Sequence, residues 1–349
     1  MKLTNEKEGF IKLRSPAYIN LDLTNRCNWN CKFCSTIMDF ERSSFQPFSK
    51  FKRIIDKLSE AEVFEINLFG GEPFIHPDVL AIVKYLHDSG FEISFVSNGS
   101  TLNKPLVDKI VNYINAGSIS IHGFKDTHEN ITGVENSFDS AILALDILSD
   151  AGLNTGLCYT LVNENFRELR NFSEHILDNF NINYLGVNRF VPQGRGIKAR
   201  KQLELSVSDF NEALLILYDL RNRYKKRIEI TDGFPFCLTK QDYLENIIKP
   251  CTAGVSFGSV NEYGDVKICS ASKHCLGNIF KTSLEEIWQN SQMLTEYRSL
   301  NWLDNSCKAC DKFNRCLSGC KVTQNKPFSS DILLKEYGDN AKAHSIKKS

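Results

Sequence analysis

Between residues 18 and 191, six short β-rich runs alternate with stretches whose apolar residues recur three and four apart. A chain patterned this way buries both faces of its strands by winding into a parallel sheet covered with helices. The runs are Tyr18–Leu23, Val63–Phe69, Glu92–Ser97, Ser118–His122, Asn154–Val162 and Tyr184–Val191. Pro77 and Asp78 suit the first turn of one intervening helix, Val79, Leu80, Ile82, Val83 and Leu86 its buried stripe, and Gly90 the position past its end. Ser137 suits the cap of another, with Ile142, Leu145 and Leu148 inside and Gly152 beyond. Six units fall short of the eight in a closed barrel. The expected fold is therefore α/β, a partial (β/α)6 barrel over 17–200, preceded by a polar segment 1–16. Ser206–Tyr224 reads as a helix inside a linking region 201–235. A small cysteine-rich domain then spans 236–324, and a polar, partly disordered tail 325–349.

Cysteine spacing carries the chemistry. Cys27, Cys31 and Cys34 form a CxxxCxxC loop directly after the first run. Three thiolates can hold a four-iron cluster by three corners and leave one iron open. Zinc is the competing occupant, but sites with only three Cys usually need a His as well. Met1–Arg14 is polar and lacks the apolar core of a secretory signal, which points to a reducing, cytoplasmic setting where clustered Cys mean metal rather than disulfides. No run approaches the ~18 apolar residues of a membrane span. With 42 basic and 42 acidic side chains, nothing in the charge balance points to nucleic acid.

A CxxxCxxC loop behind the first strand of a β/α barrel resembles the radical S-adenosylmethionine (SAM) superfamily, and further motifs agree. Gly70-Gly71-Glu72-Pro73 closes the second run and resembles the motif whose backbone and Glu carboxylate meet the methionine amino group. Ser97-Asn98-Gly99 closes the third run and Ser120-Ile121-His122-Gly123 the fourth, where such enzymes contact ribose and the methionine carboxylate. Taken singly, the Gly-Gly and Ser-Asn-Gly segments are also ordinary turn chemistry; their shared position at strand ends is what unites them. The resemblance assigns Phe33 to covering the cluster near adenine, against simple packing. His122 stands where many relatives carry Asp, and is either a structural histidine or a substrate contact. The run Arg189-Phe-Val-Pro-Gln-Gly-Arg195-Gly196 resembles an Arg/Pro/Gly-rich stretch of relatives. Either Arg189 and Arg195 hold SAM or substrate carboxylates through bidentate bonds, or the run is a surface turn.

The second half narrows the resemblance to the SPASM subgroup, peptide and protein maturases among them. Twelve residues separate Cys251 from Gly264, Cys269 follows, and Cys307-x2-Cys310-x5-Cys316-x3-Cys320 completes the pattern. The resemblance implies one or two auxiliary iron–sulfur clusters, and a Gly264 hairpin between short strands. One departure stands out: the family pattern ends in a further downstream Cys, and no cysteine follows Cys320. Asp331, Asp339 or His344 replaces it, or the site stays open. Cys158 lies in an apolar run and reads as core. Cys237 resembles an extra upstream ligand of the first auxiliary cluster in some relatives, Cys275 has no counterpart, and both are ligands or structural residues.

The resemblance implies reductive cleavage of SAM to methionine and a 5′-deoxyadenosyl radical that abstracts hydrogen from substrate, with a flavodoxin- or ferredoxin-type electron donor. The general base is unknown. A ribosomally made peptide or protein side chain is the first substrate class, its product a cross-link, a thioether, an oxidised residue or an epimer. A small-molecule oxidoreductase or decarboxylase acting on a sugar, antibiotic or tetrapyrrole precursor is the second, and a non-catalytic iron–sulfur carrier the third. Only about sixteen residues precede the first run, too few for a fused leader-peptide module, which counts against the peptide reading unless recognition resides on a separate chain.

Overall fold

The computed structural model describes residues 4–5, 9–36, 45–324 and 326–337. Its sheet has ten strands: β1 Tyr18–Thr24, β2 Glu65–Gly70, β3 Glu92–Ser97, β4 Ala116–Ser120, β5 Asn154–Leu161, β6 Tyr184–Arg189, β7 Arg227–Ile230, β8 Phe257–Asn261, β9 Asp265–Lys267 and β10 Gly277–Asn278. Their order is β10-β9-β8-β1-β2-β3-β4-β5-β6-β7. From β8 through β7 every pairing is parallel, and β8-β9-β10 form an antiparallel ribbon on one edge.

The six expected units are present, the fourth strand lying two residues earlier than expected. The partial barrel is wider than six strands, because β7 adds to β6 and β8 adds to β1, in register from Phe257 opposite Tyr18 to Asn261 opposite Asp22. The sequence offers β8 only as an arm of the Gly264 hairpin, not as a neighbour of β1, and gives no sign of β7. Each is short and finds its hydrogen-bond partners only on a sheet already formed. The sheet therefore runs on past residue 200 into the cysteine-rich region.

Helices α1 Phe48–Glu60, α2 Val79–Asp88, α3 Lys104–Ile110, α4 Lys125–Thr132, α5 Ser137–Asp150, α6 Leu169–Asn179, α7 Gly196–Leu203 and α8 Val207–Tyr224 follow the strands. Val79, Ile82, Val83 and Leu86 form the buried face of α2, whereas Leu80, expected in that stripe, is on the exposed side. Asp78 does not cap its own helix; its carboxylate accepts from the Phe48 backbone N–H at 2.9 Å and so serves the start of α1. Ser137 is the first helical residue of α5 rather than its cap. Its hydroxyl pairs with that of Thr132, and Asn136 precedes it in left-handed backbone. Ser206, expected as the first helical residue, instead caps α8, its hydroxyl accepting from Asp209 N. Gly264, at φ +82°, makes the β8–β9 turn, where a Cβ would sit 2.8 Å from the Phe280 ring. Asp339, His344 and most of the 325–349 tail lie outside the described residues. Among the described residues, no helix is long and apolar enough to cross a membrane.

Candidate radical site and auxiliary thiols

The loop carrying Cys27, Cys31 and Cys34 is clamped from two sides. Gly71 N donates to Thr24 O at 2.7 Å and Glu72 N to Arg26 O at 2.9 Å. A Cβ on Gly71 would come within 1.9 Å of Arg26 O, and one on Gly70 within 2.4 Å of Thr24 O. The two glycines therefore admit the cysteine loop itself, beyond the ligand approach expected of them. On the other side, Asn30 N and Lys32 N donate to Thr132 O and Ile131 O at the end of α4.

These thiols face a cavity of about 320 Å³ at the C-terminal ends of the strands, the end where barrel enzymes build their sites. Of the residues expected to bind cofactor, Phe33, Gly70, Gly71, Glu72, Ser97, Asn98, Ser120 and Arg189 all line it. Pro73 does not; it begins a single tight turn, Pro73–Ile75, behind the wall. The Glu72 carboxylate is already engaged, accepting from Phe74 N (3.0 Å), Ser97 Oγ (2.8 Å) and Asn98 N (2.7 Å). It ties β2 to β3, and burial raises it to about 7. The Asn98 amide reaches Asn28 Oδ1 at 2.9 Å and lies 3.9 Å from Cys27 Sγ, which fixes the loop from behind.

His122 is buried on the cavity wall with its ring edge-on to Phe33 at 4.7 Å. Its Nδ1 accepts from Thr160 N at 3.1 Å, and its pKa is held well below the usual value by burial and then by His128, so the ring is neutral. Arg189 departs from expectation. Both its terminal nitrogens bond Asp331, leaving buried Nε as the guanidinium atom with no hydrogen-bond partner. Asp331 in turn accepts from Cys320 N at 2.9 Å. A fully buried carboxylate paired in this way is a brace, which sets Asp331 apart from the other candidates for a substitute cluster ligand, Asp339 and His344.

The remaining cysteines divide between two places. Cys251, Cys269 and Cys320 line the same cavity as the CxxxCxxC thiols. Cys307, Cys310, Cys316 and Cys237 surround a second cavity of about 760 Å³. Cys237 thus joins the later set, contrary to the expectation that it supplements the first, because the turn Phe236–Leu238 packs on Cys316, with Phe236 N donating to Cys316 Sγ at 3.3 Å. Cys275 lines neither cavity; its exposed thiol donates to Gly277 O at 3.2 Å. Cys158 is buried in β5 as expected, accepts from Asn188 Nδ2 at 3.1 Å and reaches the cavity wall.

Among the described residues, no three His, Cys, Asp or Glu side chains converge as the ligands of one metal ion would. The thiols instead surround volumes, and all-thiol donor sets suit an iron–sulfide core. Burial raises Cys27 to about 11 and Cys269 and Cys237 to about 12, so these groups stay protonated until a cation takes the proton's place. Asp232 was missed by the sequence reading. It lines the cavity just beyond β7, with its carboxyl raised to about 6 by burial, an effect that nearby Arg189 opposes. A carboxylate directly after a strand end is the signal that would have found it.

Comparison with known proteins accords with this geometry. Residues 21–176 match the model of the radical SAM superfamily, and residues 251–311 that of the SPASM iron–sulfur cluster-binding domain. The chain is 26% identical over 330 residues to an AdoMet-dependent heme synthase of Methanosarcina barkeri, covering 88% of this chain and 92% of that one. It is 24% identical over 319 residues to a PqqA peptide cyclase of Bradyrhizobium diazoefficiens, covering 88% and 81%. Streptococcus suis SuiB bound to S-adenosylmethionine has a similar fold, with a TM-score of 0.73 at 15% identity over 92% of this chain and 77% of that one. The chain belongs to the radical SAM superfamily and carries its SPASM extension, and so is an enzyme of S-adenosylmethionine-dependent radical chemistry with auxiliary iron–sulfur clusters.

Proposed function

We propose that this enzyme modifies a side chain of a ribosomally made peptide or protein. The observation that carries the reading is the single cavity shared by the Cys27, Cys31, Cys34 loop and the thiols of Cys251, Cys269 and Cys320. A substrate held there touches both metal centres. In this reading Cys27, Cys31 and Cys34 hold the cluster that binds SAM, Phe33 covers it, and Asn98, Ser120 and Arg189 Nε offer polar contacts to the nucleotide or substrate. When bound, the cluster supplies the electron that splits SAM and so starts hydrogen abstraction. The protein's part is geometric: the walls exclude water and hold the target hydrogen in reach, since so reactive a species is selective only by position. Neutral His122 stiffens the wall under Phe33, and Asp232 would take the proton lost by the substrate radical as its electron passes to an auxiliary centre held by Cys251, Cys269 and Cys320. The barrel and the SPASM region 236–324, whose strands β8–β10 extend the barrel sheet, work as one unit, in a reducing cytoplasm, with a flavodoxin- or ferredoxin-type donor and a separate leader-binding protein.

Support for a peptide comes from the relatives named as a peptide cyclase and from SuiB, which is also known bound to its precursor peptide SuiA. A tetrapyrrole is the second reading, favoured by the relatives named heme synthase. Anoxic reconstitution followed by assay of 5′-deoxyadenosine, with the Cys27/Cys31/Cys34→Ala variant as control, tests the radical step. Incubation with short peptides encoded beside the gene and with a decarboxylatable porphyrin, read by mass spectrometry, separates the two substrates. Absence of 5′-deoxyadenosine from iron-loaded wild type would sink the reading.

A further inference from the structure

We propose that Cys237 supplies the fourth thiolate of the outer auxiliary cluster, so that this site is closed from upstream by a residue next to the barrel edge. The inference rests on reading the outer cavity as a cluster site. Three of its thiols, Cys307, Cys310 and Cys316, belong to the CxxCx5C run, and Cys237 is the fourth thiol on its wall. Cys237 shares that wall with Cys307, Cys310 and Cys316, which makes the four a neighbourhood.

The position of Cys237 is fixed by its surroundings. The tight turn Phe236–Leu238 follows Pro235, and Asn211 of α8, itself buried, grips the segment at both ends: its amide donates to Leu238 O at 2.8 Å and its oxygen accepts from Lys240 N at 2.6 Å. Just before the turn, a Cβ on Gly233 would lie 2.9 Å from the Gly319 carbonyl, so the two segments run in direct backbone contact. Lys312 then joins the short helix Phe313–Cys316 to Glu245 at 2.6 Å and Asp242 at 3.1 Å, beyond the same turn. A thiol presented by a braced turn loses little conformational freedom when it takes a metal.

The alternatives are weaker. No cysteine lies between Cys320 and Ser349. Asp331 is committed to Arg189 and to Cys320 N. Cys275 lines neither cavity, and its thiol bonds its own loop at Gly277 O. The inner set of Cys251, Cys269 and Cys320 keeps three thiols facing the cavity, so closure of the outer site by Cys237 leaves the inner site as the incomplete one.

The test is differential alkylation of the anoxic, iron-loaded wild-type protein, read residue by residue by mass spectrometry. The expected result is that Cys237 resists iodoacetamide in loaded protein and reacts once iron is stripped, while Cys275 reacts in both. Cys237 that reacts in loaded protein overturns the proposal. A second arm uses protein already lacking Cys27, Cys31 and Cys34, in which two auxiliary clusters contribute about eight irons. There, Cys237→Ala is expected either to lose about four of them or to keep them with an altered EPR signal, whereas Cys275→Ala changes neither. Unchanged iron and unchanged signal in Cys237→Ala overturn the proposal. SAM cleavage is read separately at the barrel loop, so failure of that chemistry leaves both arms interpretable.

Discussion

Arg189 and Asp331, 142 residues apart, form a buried two-pronged ion pair, with Nη1–Oδ1 at 3.2 Å and Nη2–Oδ2 at 2.8 Å. One end is the last residue of β6; the other follows the CxxxC pair and also holds Cys320 N. The pair pins the cysteine-rich tail to the barrel mouth. Asp331→Asn leaves the buried guanidinium without its paired carboxylate, at an expected cost of about 3–5 kcal/mol. Thermal unfolding of loaded protein should show the drop, together with earlier proteolysis beyond Cys320. Arg189→Lys keeps the charge but not the fork and should fall between the two. A variant as stable as wild type would remove the brace.

Gly71 and Gly90 make a contrasting pair. At Gly71 a methyl group meets the Arg26 carbonyl at 1.9 Å, and backbone must move; at Gly90 it meets nothing within 4 Å. Gly71→Ala should displace the cysteine loop, lower the iron bound there and abolish 5′-deoxyadenosine formation. Gly90→Ala, strained only by its φ of +84°, should cost about 1–2 kcal/mol and leave the iron in place. Iron analysis and chemical denaturation of the two variants separate the cases.

His128 is buried behind His122, and burial lowers its pKa to about 4, so its folded value lies below the ordinary 6.5. Between those values the unfolded chain binds the extra proton and the native state does not. Stability therefore rises with pH across this window and is lost as pH falls from 6.5 toward 4, by about 2 kcal/mol from pH 7 to 5 for this one residue. His128→Gln retains an acceptor for His122 N and should be less sensitive to acid than wild type. Melting temperatures of both proteins at pH 7.5 and 5.5 give the comparison; equal slopes would contradict it.

Asp232 is expected to shape the pH profile of turnover. With its carboxyl at about 6, the proton-accepting form prevails above that pH. Asp232→Asn should lower product formation roughly 10²-fold and remove the acidic limb. Cleavage of SAM without substrate should continue, which distinguishes this carboxylate from a residue needed for cluster assembly.

What the sequence made legible followed from local chemistry. The CxxxCxxC loop, the motifs at the strand ends and the Gly264 turn each depend on neighbours within a few residues, and each lies where spacing put it. What it hid depended on distant partners. Nothing near Cys237 in the chain shows that its turn packs on Cys316, 79 residues later. Asp78 looks like the cap of the helix it precedes, and only tertiary packing brings Phe48 N to it. Asp331 resembles a spare ligand until Arg189 is seen across from it. The strand β7 is too short to announce itself, and nothing in the Gly264 hairpin shows that its first arm, β8, lies beside β1.

The pairing of β8 with β1 sets how far apart the metal centres stand. One strand leads into the loop of Cys27, the other lies between Cys251 and Cys269, and their parallel register joins them through backbone hydrogen bonds rather than a hinge. Any centres held by these two sets of thiols would then keep a fixed separation, because the strands that carry their loops lie edge to edge in one sheet.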